Sequence, residues 1–176
     1  MTIRIRSDMK AVFALQPLRK SIFLAGPTPR PPKEGREAVQ SWRPEALEHL
    51  AAAGFDGEVF VPEASNWLQH GNYNAQIHWE WEALAQSTVV AFWIPREILQ
   101  EQDGETSLKM PAFTTNVEFG LYAQSGRGIL GFPPGSEKMS YLVAVARKYG
   151  MPVHPDTDLA SFMKAAADRT YSLYSN

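Results

Sequence analysis

Thr88-Val89-Val90-Ala91-Phe92-Trp93-Ile94 is nearly continuous in apolar residues and stops at Pro95. A run this short, rich in β-branched and aromatic residues and with no polar alternation, predicts a strand covered on both faces. That is the setting of a parallel sheet. The same reading applies upstream to Ser21-Ile22-Phe23-Leu24-Ala25, which Gly26-Pro27 terminates in a turn. Glu58–Val61, Gly128–Phe132 and Met151–His154 give three more strands. Helical patterns stand between them. Glu37–Ala53 carries Trp42, Ala46, Leu47 and Leu50 on one stripe, with Gly54 as its stop. Gln76–Gln86 has Ile77, Trp81, Leu84 and Ala85 as its buried face. Asn116–Gln124, Glu137–Tyr149 and a last helix capped by Asp156 or Thr157 follow. Strand and helix alternate, so the expected fold is α/β, with five parallel strands in a doubly wound sheet.

At 176 residues the chain has the length of one domain, expected over residues 21–176 behind an N-terminal extension or edge segment, 1–20. Met1–Arg6 alternates weakly and could add a short strand. A net charge of −2 argues against a nucleic-acid partner. With no cysteine, disulfides and thiolate metal sites are excluded. His49, His70, His78 and His154 form no His-x-x-x-His pair, so no metal is expected. No apolar run is long enough to span a bilayer, and no secretory signal pattern opens the chain. The expected location is cytoplasmic.

The chemistry concentrates in Phe113-Thr114-Thr115-Asn116-Val117-Glu118-Phe119-Gly120. Glu118 is a carboxylate in a small-polar and apolar run that opens a helix. In a first helical turn it would meet free backbone N–H groups and the positive helix end, which keep it ionised and fixed. Such a carboxylate suits nucleophilic attack on an acetal-like carbon such as C1′ of a sugar. Thr115 and Asn116 stand where they could orient it or bind a sugar hydroxyl. The plainer alternative is a capping box from Thr115 to Glu118. Glu80, on the boundary of its helix, is the candidate acid for a departing nucleobase; its alternatives are a surface glutamate or a partner of Arg96. His78 is a weaker acid–base candidate.

The turn Gly26-Pro27-Thr28 offers backbone groups and a hydroxyl to a sugar, and Arg30 and Arg96 suit a phosphate. Neither a dinucleotide fingerprint nor a phosphate-binding loop is present, so no cofactor is expected. Trp67, Tyr73, Trp79 and Trp93 are candidate stacking surfaces for a base, each also suited to plain packing. Ala64–Asn74 reads as a polar, aromatic loop at a strand's carboxyl end, where open α/β folds bind ligands. Arg96–Pro111 reads as a charged excursion with one short helical turn.

These motifs, in order, resemble the nucleoside 2-deoxyribosyltransferase-like family, in a divergent branch. The likeness rests on Phe23-Leu24-Ala25-Gly26-Pro27-Thr28-Pro29-Arg30, Trp79-Glu80, Phe92-Trp93-Ile94-Pro95-Arg96 and Phe113–Gly120, and spans about residues 20–160. It implies a flavodoxin-like sheet of order 2-1-3-4-5 and a double displacement. Glu118 would take the nucleophile's place, Ala25-Gly26-Pro27 the turn beside the sugar, and Glu80 the acidic residue that contacts the base. The family's Asp-x-Gly-x-x-x-Glu pattern is altered here: Ala112 stands for the aspartate and Thr114 for the glycine. Phe23 replaces an aromatic hydroxyl on the first strand. The resemblance also implies a homo-oligomer, dimer or larger, with C-terminal residues completing a neighbour's site. The tail Tyr171-Ser172-Leu173-Tyr174 suits that, or docking on its own domain. The expected ligands are a nucleoside or nucleotide and a free nucleobase. Deoxyribosyl transfer leads, with N-glycoside hydrolysis, non-catalytic nucleotide binding and a structural partner subunit as alternatives.

Overall fold

The computed structural model describes residues 4–6, 20–29, 40–63, 73–102 and 105–175. In chain order the elements are β1 (Arg4–Arg6), β2 (Ser21–Ala25), α1 (Arg43–Ala52), β3 (Glu58–Phe60), α2 (Tyr73–Gln86), β4 (Val89–Trp93), β5 (Glu97–Gln102), β6 (Glu105–Met110), α3 (Phe113–Tyr122), β7 (Gly128–Gly131), α4 (Ser140–Lys148), β8 (Val153–His154) and α5 (Leu159–Tyr174). The main sheet runs β1-β3-β2-β4-β7-β8, all parallel. Numbering only the five strands expected from the sequence, from Ser21 onward, gives 2-1-3-4-5, the flavodoxin-like arrangement. Arg4–Arg6 adds a strand at the β3 edge.

Every residue of β2 and β4 is buried, because helices cover both faces. Alternate side chains feed two cores. Phe23, Ala25, Val90 and Phe92 point to the side of α2, α3 and α4. Ile22, Leu24, Ala91 and Trp93 point to α1 and α5. Each fully buried Phe or Ile contributes about 1.5–3 kcal/mol, so the two central strands hold the three layers together. Tyr171 of the C-terminal tail docks on its own domain: its ring packs 5.9 Å from Phe55 and its hydroxyl donates to the Gly54 carbonyl at 3.2 Å.

Several boundaries differ from those read in the sequence. Helix α1 begins at Arg43, not Glu37, and Gln40 and Ser41 are already non-helical. Pro44 sits in its first turn, and a proline there lacks the N–H and crowds the carbonyl four residues back. The buried face of α2 is rotated from the expected one. Trp79, Ala83 and Leu84 are inside, whereas Trp81 is 58% exposed and Ala85 is exposed. Trp79 wins the core position by packing 6.5 Å from Phe23 and 6.2 Å from Phe60.

The excursion 96–111 is no helical turn but an antiparallel hairpin, β5–β6, with Leu99 opposite Leu108. Helix α4 starts at Ser140 rather than Glu137, after Lys138 at φ 54°. The last helix is capped by Asp158, which accepts from the Ser161 N–H at 2.8 Å; Asp156 instead takes a left-handed turn position at φ 50°. Among the described residues no helix is long and apolar enough to cross a membrane.

Candidate active site

The carboxyl ends of β2 and β3 and the segment leading into α3 open onto one cleft of about 610 Å³. It lies where the connections from the neighbouring strands β2 and β4 leave for opposite faces of the sheet, to α1 and toward α3, the switch point at which such folds bind ligands. Gly26, Pro27 and Thr28 line it after β2, Pro62 and Glu63 after β3, Gln76, Ile77 and Glu80 on α2, and 111–115 with Glu118 at α3.

The turn after β2 is held from below by the start of α1. Gly26 is required by close approach: a Cβ there would lie 2.2 Å from the Trp93 carbonyl oxygen and 2.7 Å from the Trp42 ring. The Trp42 indole N–H donates to the Pro27 carbonyl at 3.1 Å. Arg43, 1% exposed, donates to the carbonyls of Leu24 (3.2 Å) and Gly26 (2.8 Å), to the Thr28 hydroxyl (3.2 Å), and to Glu63 (2.5 Å). Ser41 holds the other Glu63 oxygen at 2.7 Å. The charges of this buried pair are thus fully hydrogen-bonded, which an ion pair out of water requires.

The opposite wall is built differently. Ala112 precedes α3 in the left-handed region, φ 58° and ψ 38°, with no side-chain cap. That conformation is uncommon for a residue with a Cβ. The first helical bond already runs from the Asn116 N–H to the Ala112 carbonyl, 3.0 Å. Thr115 is therefore inside the helix and buried, and Glu118 lies in the second turn. This corrects both sequence readings of Glu118. It caps nothing, and no free helix-end N–H groups keep it ionised.

The Glu118 carboxyl is instead pushed up to about 8, by burial first and then by the neighbouring Glu80, against the pull of Arg43. Glu80 is also raised, by burial first, against a hydrogen bond from the Gln76 amide at 2.8 Å and the Arg43 charge. The Glu80 charge is among the causes that raise Glu118, so the two carboxyls titrate as a pair.

Gly26, Pro27, Thr28, Glu80, Thr115 and Glu118 thus share the cleft. Three other candidates do not line it. The Trp93 ring lies on the opposite face of the sheet against Phe162, 5.3 Å between centroids. Its carbonyl, not its ring, is what bears on Gly26. The Asn116 side-chain oxygen accepts from Arg96 at 2.5 Å. Arg96 is 4% exposed and also donates to the Lys138 carbonyl at 3.2 Å, so it ties α3 to the segment before α4 instead of meeting a phosphate. Arg30, Trp67 and all of the expected loop 64–74 except Tyr73 and Asn74 lie outside the described residues. His78 is exposed on α2, stacked edge-on against Trp81.

The sequence reading missed Arg43 and Glu63. A buried arginine leaves no trace when its carboxylate stands twenty positions away on another strand end; the only local hint was a charged residue beside Trp42 in an apolar stripe. Among the described residues no group of three or more His, Asp or Glu is placed to hold a metal ion.

A protein-family profile described as nucleoside 2-deoxyribosyltransferase like matches residues 19–136, which include every residue lining the cleft. No curated protein matches the chain.

Proposed function

The chain belongs to the nucleoside 2-deoxyribosyltransferase-like family, and from that premise we propose that its cleft cleaves and transfers the N-glycosidic bond of a nucleoside or nucleotide, with Glu118 as nucleophile. One observation carries this reading. Two carboxyls with raised proton affinity, Glu118 and Glu80, face one cleft at the switch point of the sheet.

The pair keeps its shared proton on Glu118 at rest; in the productive state that proton has passed to Glu80, and Glu118 is ionised. The Glu118 oxygen attacks C1′ as the C1′–N bond breaks. The base leaves with the bonding electrons and takes the Glu80 proton. The developing positive charge on the sugar is stabilised by the Glu118 charge. A second base then attacks C1′ of the glycosyl ester, returns a proton to Glu80 and releases Glu118. Water in place of that base gives hydrolysis. Gly26, Pro27 and Thr28 bound the sugar side, where the Thr28 hydroxyl and the backbone of the turn can meet sugar hydroxyls. No cofactor or metal enters this scheme.

Ala112 favours a second reading, binding without cleavage. A methyl group stands where family members carry an aspartate for the sugar. A homo-oligomer is supported by α3, which exposes Phe113 (56%), Val117 (64%) and Leu121 (68%) on one face at a spacing of four.

Incubation with deoxynucleosides, ribonucleosides and their 5′-monophosphates, with and without a second base, tests the reading by chromatography. A new nucleoside formed only with added base is the expected result. Free base and sugar without an acceptor would identify a hydrolase. Ligand binding with no product from any substrate would overturn catalysis in favour of binding.

A further inference from the structure

We propose that the buried Arg43–Glu63 pair is the positioning device of this cleft: Arg43 supplies a fixed positive charge to the Glu80–Glu118 wall, and Glu63 sets how much of that charge the two carboxyls feel. The geometry is specific. Arg43 lines the cleft yet is 1% exposed, so its guanidinium acts in a medium that screens charge poorly. Hydrogen bonds to Leu24, Gly26, Thr28 and Glu63 leave it one orientation. Glu63, 2% exposed, is held in turn by Ser41.

The charged side chains reaching the cleft, among the described residues, are Arg43 from α1, Glu63 after β3, Glu80 from α2 and Glu118 from α3. Three carboxyls thus meet one guanidinium. Arg43 draws both Glu80 and Glu118 toward ionisation, against burial. Glu63 is the closest counter-charge and offsets part of that pull. Neither member of the pair needs to touch substrate. The same arginine also ties the turn beside the sugar to the charge that governs the opposite wall.

Two opposite shifts distinguish this role from plain structural support. Glu63→Gln keeps the shape and removes the counter-charge, so the Glu118 titration should move down by about one pH unit. Arg43→Met removes the cation, so it should move up by a similar amount. Arg43→Lys keeps the charge on a less directional donor and should stay near wild type. The measurement is 13C-carboxyl NMR titration of the full chain, with resonances assigned by their loss in Glu118→Gln and Glu80→Gln. Both limbs of the pH–rate profile should follow each shift, because the carboxyls titrate as a pair.

An unchanged or upward shift in Glu63→Gln overturns the proposal. So does a displacement in Arg43→Lys as large as that in Arg43→Met. If Arg43→Met does not fold, the Glu63→Gln and Arg43→Lys arms still decide. The role rests on Glu118 and Glu80 being the working carboxyls. The titration needs no turnover, so absence of glycosidic activity would defeat the proposed reaction without touching this test.

Discussion

The two walls of the cleft are built on opposite plans. On the β2 side, the Gly26–Thr28 turn is anchored by Trp42 and Arg43, whose indole and guanidinium bonds end on its carbonyls and hydroxyl. On the α2–α3 side, the Glu118 carboxyl makes no hydrogen bond to any described residue and the side-chain amide oxygen of Gln76 is buried without a partner. Ala112 there sits in a left-handed conformation. The satisfied wall is built to hold a shape. The unsatisfied wall stores proton affinity and strain, the features that the proposed reaction would draw on.

The sharpest way to break this contrast is Glu118→Gln. Turnover should fall at least about a thousandfold, because the amide cannot form the glycosyl ester. Product analysis at matched protein concentration would show it, and near-normal transfer would move the chemistry elsewhere. Glu80→Gln should cost about 10²–10⁴ in rate. The loss should be greatest for bases that leave poorly, and the alkaline limb of the rate profile should disappear. Equal losses for good and poor leaving groups would remove Glu80 as the proton donor.

The same Glu118→Gln protein sharpens the contrast from the stability side. In the fold the Glu118 carboxyl holds its proton to about pH 8, against an ordinary 4.5. Its protonated form therefore supports folding fully below about pH 4.5. That support is lost as pH rises through 8. Removing the carboxyl should stabilise the protein at about pH 9 by on the order of 2–3 kcal/mol, allowing for solvent screening, and change little at about pH 4. Urea unfolding at the two pH values measures it, and a stability difference independent of pH would contradict a buried, proton-holding carboxyl.

On the satisfied wall the expected effects run the other way. Gly26→Ala should lose about 1–3 kcal/mol by driving a methyl group into the Trp93 carbonyl and the Trp42 ring. An unchanged melting temperature would mean that this wall yields more readily than its contacts imply. The smallest effect, back on the α2–α3 side, belongs to Ala112→Gly. Relief of the left-handed strain should exceed the entropic penalty of glycine by less than about 1 kcal/mol, a slight rise in melting temperature.

Much of this molecule was legible before folding. Continuous apolar runs mark strands covered on both faces, so 88–94 and 21–25 announced a parallel sheet, and Glu118 and Glu80 stood out as carboxylates in apolar settings. The hairpin was legible as well. Asp103-Gly104, the dipeptide favoured by two-residue hairpins, separates two strand-length segments. Reading 96–111 as a charged excursion overlooked it.

What local pattern could not give was direction. Trp79 and Trp81 are equally apolar, and only the positions of Phe23 and Phe60 decide which one turns inward. Asn116 and Arg96 looked like ligands for a sugar and a phosphate, yet they bond to each other. The sequence by itself determined the layers and the two carboxyls, because burial periodicity is a local property of the chain. Only the tertiary structure decided that Arg43 and Glu63 meet beneath the cleft and that Glu118 holds its proton. Both follow from charges brought together out of water by segments distant in sequence, and such energies depend on position in space.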